Sequence, residues 1–390
     1  MKTSKILILT IIAVMMSLKM SAQNPDSTAS DLDFKDFFDN LNSDGETGTA
    51  EFAENTQDNS NETLLYNFKR LYNAGKYSEA IKTAKTLNKT KFNSKENSEF
   101  LKYYASTLKE AGFDREADSV TKLFLKKNPF YETQVSDPMP FKEMKKNFYT
   151  FPRFATWINF GLSTPMVIID TVHVINEDSK NKPDYSSTEG FIAEIGFQYY
   201  ITKFVSVAAG LQYNFMQYTR TENHSFYYNS MKLDYKFVYK ESSHLLTVPV
   251  YVTITYPTRK EKIVPEFYAG FQQNYLLKTK YESYNEYGES QQNTISDNSI
   301  DLKTKNRINC SVFGGLRINR NFNQNTFFAD ASFSYMLRPF NNAEYNYYNH
   351  NLLYNKMFVP DAIHLATFNI RVGYKFKFGY SVKAKYGYGF

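Results

Sequence analysis

From Phe154 to Phe378 the chain alternates apolar and polar positions with a period of two, the period of a β-strand rather than a helix. The clearest case is Ala366 to Phe378. Its even positions are Ala366, Phe368, Ile370, Val372, Tyr374, Phe376 and Phe378, and its odd positions are Thr367, Asn369, Arg371, Gly373, Lys375 and Lys377. Seven segments upstream repeat the pattern: 154–163, 188–200, 204–218, 244–256, 264–278, 306–318 and 326–337. The connections alternate as well. Short ones (201–203, 257–263, 319–325) are interleaved with long polar ones (164–187, 219–243, 279–305, 338–361). Even strand number, dyad alternation and turns that are short on one side and long on the other predict an eight-stranded antiparallel transmembrane β-barrel. Its aromatic-rich face would meet lipid and its polar face the lumen.

Ahead of this region the period changes to that of helices. Leu64, Leu65, Phe68, Leu71 and Tyr72 share a face, as do Tyr77, Ala80, Ile81 and Ala84; the arrangement recurs from Phe100 to Phe124. Ala74-Gly75 and Ala111-Gly112 mark the two turns, 37 residues apart, close to a helix-turn-helix repeat. Asp137-Pro138-Met139-Pro140 then predicts a linker over 130–153. The expected order is a signal peptide (1–22), an acidic arm (23–62), a small all-α domain (63–129), the linker, the barrel (154–378) and a tail (379–390). The tail rests on Gly379, because the apolar phase continues to Phe390 and is too long for one span.

Charge sharpens this order. Lys2 and Lys5 precede an apolar run to Leu18 with Ser21-Ala22 behind it, the pattern of a secretory signal. Residues 23–62 hold eleven acidic side chains against Lys35, and such a segment buries too little apolar surface to fold alone. Within it Phe34, Phe37, Phe38 and Leu41 have the i, i+3, i+4, i+7 spacing of one sticky helical face, suited to docking on the chain itself or in a partner's groove. A net charge of +6 is weak evidence for nucleic acid, and no nucleic-acid partner is expected. Cys310 is the single cysteine, which excludes an internal disulfide and a multi-cysteine zinc site.

The inward phase carries Glu194, Glu266, Arg307, Arg317, Asp330, Arg371 and Lys375. An eight-stranded barrel has room inside only for side chains, so these charges are expected to pair as a plug; a conducting pore or a ligand site inside is the alternative. No catalytic, metal or cofactor constellation emerges. His364 with Ser332 or Ser334 is the only imaginable hydrolytic pair, and its members fall on opposite faces of their strands.

Two resemblances follow from particular residues. Ala74-Gly75-Lys76-Tyr77-Ser78-Glu79-Ala80-Ile81 resembles a tetratricopeptide repeat. Ser243 to Val250, Pro265 to Gly270 and the ending Val372 to Phe378 resemble the PorT-like outer-membrane β-barrel family. The resemblance implies an outer-membrane barrel fold over Phe154 to Phe378 and says little about function. A filled small barrel fused to a repeat-type helical module gives the expectation of a non-enzymatic barrel in the cell outer membrane, contacting lipid, with its helices in the periplasm as a partner-binding module. It would serve as anchor or accessory subunit of a secretion or assembly complex; a small channel or uptake protein is the second expectation.

Overall fold

The computed structural model describes residues 61–87, 92–173, 183–228, 231–256, 262–287, 290–297, 302–345, 347–356 and 358–385. The expected signal peptide, nearly all of the acidic arm with Phe34, Phe37, Phe38 and Leu41, and the last five residues lie outside them. The chain divides into two compact units, 1–121 with 136–142, and 122–135 with 143–390.

The helices are α1 (Asn61–Asn73), α2 (Tyr77–Thr86), α3 (Ser94–Glu110), α4 (Asp114–Lys127) and α5 (Met139–Lys146). Gly75 and Gly112 have φ of 75° and 85°, the left-handed turn that glycine adopts without steric cost. After each, paired backbone bonds close the helix end: Lys76 N to Leu71 O with Gly75 N to Tyr72 O, and Phe113 N to Leu108 O with Gly112 N to Lys109 O. Asn93 and Glu96 form a reciprocal capping box that starts α3. In the first unit, Phe68 and Phe100 meet at 5.5 Å and Phe100 stacks on Tyr104 at 5.4 Å. Burial, with a smaller contribution from Glu116, pushes the Tyr104 hydroxyl up to about 12.

The stretch predicted as a linker is more ordered than its two prolines suggest. Pro138 and Pro140 flank the first residue of α5, where a missing N–H breaks no helical bond, and the Pro138 carbonyl accepts from Lys142 N. Asp137 is fixed by Lys102 at 2.8 Å.

The remaining strands form one closed sheet: β1 (Phe148–Thr171), β2 (Asp184–Tyr200), β3 (Val205–Tyr228), β4 (Met231–Thr255), β5 (Ile263–Tyr287), β7 (Ile308–Phe322), β8 (Asn325–Met336) and β9 (Ala362–Ala384). Neighbours are antiparallel, β1 closes on β9, and β6 (Ser290–Asp297) extends the β5 hairpin outside the ring. A mainly β, eight-stranded antiparallel barrel with N-terminal helices is therefore the fold.

Three expected boundaries are revised. β1 begins at Phe148, not Phe154. β9 runs to Ala384, with Tyr380 to Ala384 paired to Pro152 to Phe148, so the residues after Gly379 open as strand rather than tail; Gly379 takes φ 63° within that strand. Residues 219–228 and 231–243, expected as part of a loop, are strand, and β3 and β4 pair out to Tyr228 and Met231. Backbone pairing on both edges carries the strands past the apolar band, and the alternation that organises them continues there with larger polar side chains.

Outward residues such as Ile158, Phe160, Ile195, Leu211, Phe271 and Ile370 are exposed, while their neighbours in sequence are buried. So continuous an apolar outer band fits a surface that lipid covers.

Candidate functional site

The chemistry of the barrel is concentrated in its lumen. Cross-strand register places Glu266, Arg317, Asp330 and Arg371 opposite one another on β5, β7, β8 and β9, a row of alternating sign. Arg371 donates from Nε to Asp330 at 2.9 Å and from Nη1 to Glu194 on β2 at 2.8 Å. Arg317 Nε reaches Asp330 at 3.1 Å, and its Nη1 lies 3.9 Å from Glu266. Lys375 Nζ completes the chain at 3.0 Å from Glu266. Three carboxylates and three cations therefore neutralise one another in a space where an unpaired charge would be costly.

Aromatic rings fill what the charges leave. Trp157, Tyr251, Tyr268 and Phe328 form a buried cluster. The Arg317 guanidinium lies 4.4 Å from the Phe328 ring centroid and 5.3 Å from that of Tyr268, and the Tyr268 hydroxyl donates to Asp330 while accepting from Arg371. Gly196 is required beside them, because a Cβ there would fall 2.1 Å from Trp157 Cζ2. Tyr268 and Phe328 were legible as inward residues, each being two positions from a charge of the row.

Arg307 is the one expected member that stands elsewhere. It is exposed, donates to the Tyr275 hydroxyl at 2.9 Å and covers that ring from outside the lumen. It precedes the first residue of β7, where the register with β5 ends and only its carbonyl is held, accepting from Leu276 N at 2.8 Å. Lys305, in the preceding connection, takes an inward place and binds Glu241 at 2.7 Å and Asn341 at 2.6 Å.

Above the charge row follow small polar pairs, such as Thr247 with Asn274 at 2.9 Å and Ser334 with Thr367 at 2.6 Å. Next comes an apolar layer built from Met216, Leu245, Leu276, Met336, Ile363 and Leu365. The outermost layer fixes the long connection between β8 and β9, which carries α6 (His350–Lys356). Leu352 and Phe358 from this connection pack against Phe237, Tyr239 and Tyr281 of the extended strands. Arg220 clamps it, donating to the Val359 carbonyl at 2.9 Å, lying 3.3 Å from Asp361 and 4.6 Å from the Phe358 ring, and donating to Glu222. Asp361 also accepts from Tyr185 at 2.7 Å and from His173 N at 2.8 Å. Burial raises its carboxyl above the ordinary value, with Arg220 and these hydrogen bonds opposing the shift. Arg220 was hidden because residues 219–243 read as loop, although Asn214, Met216, Tyr218 and Arg220 keep one phase.

His364 stacks on Tyr335 at 5.6 Å and contacts the Met336 carbonyl, on the outer face. Ser332 and Ser334 are buried inside. The strand wall separates them.

Residues 153–343 match the sequence profile of a family described as outer membrane protein beta-barrel domain. No curated protein matches the chain by sequence. Among solved structures, the chain is similar to Ail of Yersinia pestis, at 15% identity over 57% of this chain and 99% of that one, with a TM-score of 0.26. It is also similar to Neisserial surface protein A, at 13% identity over 58% and 97% with a TM-score of 0.26, and to OprG from Pseudomonas aeruginosa, at 10% over 58% and 97% with a TM-score of 0.27.

Proposed function

Starting from a C-terminal region that is an outer-membrane β-barrel domain, we propose that this protein is a non-enzymatic anchor or accessory subunit of an envelope secretion or assembly complex. The barrel would hold it in the outer membrane, and the helices, on the periplasmic side, would recruit partners. The observation that carries this reading is the filled lumen: a neutral row of six paired charges on one level and a folded connection clamped by Arg220 on another. A barrel whose interior is committed to its own side chains offers its surfaces, not its lumen, for function. The resemblance of Ser243 to Val250, Pro265 to Gly270 and Val372 to Phe378 to the PorT-like family points the same way, as does that of Ala74 to Ile81 to tetratricopeptide repeats.

Affinity purification of the full chain from mild detergent tests the reading. Envelope proteins are expected to accompany the tagged chain in stoichiometric amounts. A protein that purifies alone under every mild condition contradicts it.

A further inference from the structure

On the outward face of β4, β5 and β7, the long-connection end of the apolar band carries a patch of unbalanced positive charge. Lys278 stands opposite His244 and Lys280 opposite Ser242 across the β4–β5 pair, while the alternate residues Thr279 and Tyr281 are buried inside. A bulge between His244 and Leu245 gives β5 an extra residue there, so Leu277 and Lys278 are both exposed. Arg307, just ahead of β7, adds a third cation. Its carbonyl accepts from Leu276 N at 2.8 Å, and its guanidinium covers the Tyr275 ring. Among the described residues none of the three forms an ion pair with a carboxylate. Farther out on the same two strands the charges balance, with Lys240 opposite Glu282 and Lys236 lying 3.4 Å from Glu286. Elsewhere around the barrel the sign reverses: Asp170 and Glu189 are exposed at the corresponding end of β1 and β2.

We propose that this patch binds the phosphomonoester headgroup of a membrane lipid whose acyl chains lie along the apolar band. Position is the first argument. The cations border the exposed Leu277 and Ile308, with Phe271 farther into the band, so a ligand here meets charge and hydrocarbon side by side. An anionic amphiphile covers both, whereas a free anion or a purely acidic peptide leaves the apolar residues bare. Amount of charge is the second. A phosphomonoester carries about −1.5 to −2 and three acceptor oxygens, against the single charge of a carboxylate. Arg307 brings the planar fork that meets phosphate oxygens two at a time, and the lysines add compact charges beside it. Confinement to one sector is the third. A belt that merely holds the barrel at the bilayer surface would run all the way round, and the carboxylates of β1 and β2 interrupt it. This inference rests on the anchoring reading and names the lipid held at the wall of the anchor.

Native mass spectrometry of the full chain tests this, with the protein in detergent beside equal amounts of phosphatidic acid and phosphatidylcholine of identical acyl chains. Phosphatidic acid adducts are expected to exceed phosphatidylcholine adducts at least about tenfold, and to decline as ammonium acetate is raised. The Lys278→Gln, Arg307→Gln double variant is expected to lose that preference by at least about tenfold. Lys236→Gln, which removes a balanced cation farther out, is expected to keep it. Circular dichroism of the double variant must keep the strand signal; if it does not, the lipid contrast and the displacement experiments on the unaltered chain decide. Equal adducts of the two lipids overturn the proposal, and so does an unchanged preference in the folded double variant. An equal loss in Lys236→Gln overturns it too, because charge anywhere on the barrel then suffices. Displacement of the lipid by inorganic phosphate or by polyglutamate at the same concentration also overturns it, since the occupant is then a free anion or an acidic protein segment. If the lipid preference is missing while envelope proteins still accompany the chain, the patch assignment falls and the anchoring reading stands.

Discussion

At the scale of single residues, Arg371 is the hub of the lumen, joined to both Asp330 and Glu194. Replacing it with Met keeps much of the volume but leaves the buried Glu194 without a cation and Asp330 with Arg317 alone. The variant is expected to lose about 3–5 kcal/mol, the cost of breaking a buried pair from one side. Urea unfolding in detergent, followed by tryptophan fluorescence, measures this, since Trp157 belongs to the same cluster. Removing both members of the pair nearest the short-turn end, with Glu266→Gln and Lys375→Met, is expected to cost less than Lys375→Met alone, because no charge is left uncompensated. Of the seven charges that alternation in the sequence places inward, all but Arg307 are buried in the lumen, since side-chain direction in a paired strand depends only on parity. Alternation did not show that Glu266, Arg317, Asp330 and Arg371 form one row. Rows are set by register between strands, and parity carries no register.

At the scale of elements, two pieces behave separately. In the helical unit the raised Tyr104 hydroxyl gives a signed expectation. The folded state holds this proton up to about pH 12, whereas an unfolded tyrosine loses it near pH 10. The folded form thus binds more protons across that window, and the helices lose stability as pH rises from about 10 to 12, by at most about 3 kcal/mol. Tyr104→Phe keeps the ring and is expected to flatten this part of the alkaline unfolding curve, read from the helical circular-dichroism signal. The second piece is the connection carrying α6. Arg220→Ala removes its bonds to Val359 and Asp361, and faster backbone hydrogen exchange is expected at Leu352 to Val359 with little change at β8 and β9. Uniform loosening of the whole barrel would show that Arg220 supports the wall rather than the connection. The helices and their two glycine turns were legible because period and turn residue agree. The β3–β4 hairpin was not, since its β3 side from Thr219 to Ser225 is polar on both faces, although Leu233, Tyr235, Phe237 and Tyr239 keep one phase on the β4 side.

For the whole molecule, the eight-strand count, the closure of β1 on β9 and the polar interior follow from the alternation and from the short and long connections. The extra length of β1 and β9 at the short-turn end does not, because apolar phase alone cannot say where a strand leaves the membrane. The account depends on the interior being closed at two levels by different means, paired charges on one and a folded connection on the other. Opening the outer level alone therefore leaves the charge row in place. The most direct test is single-channel recording of the purified full chain in planar lipid bilayers, alongside the Arg220→Ala variant. Neither protein is expected to give steady ionic conductance. Reproducible open levels from the unaltered chain would contradict a filled barrel and make the lumen a channel.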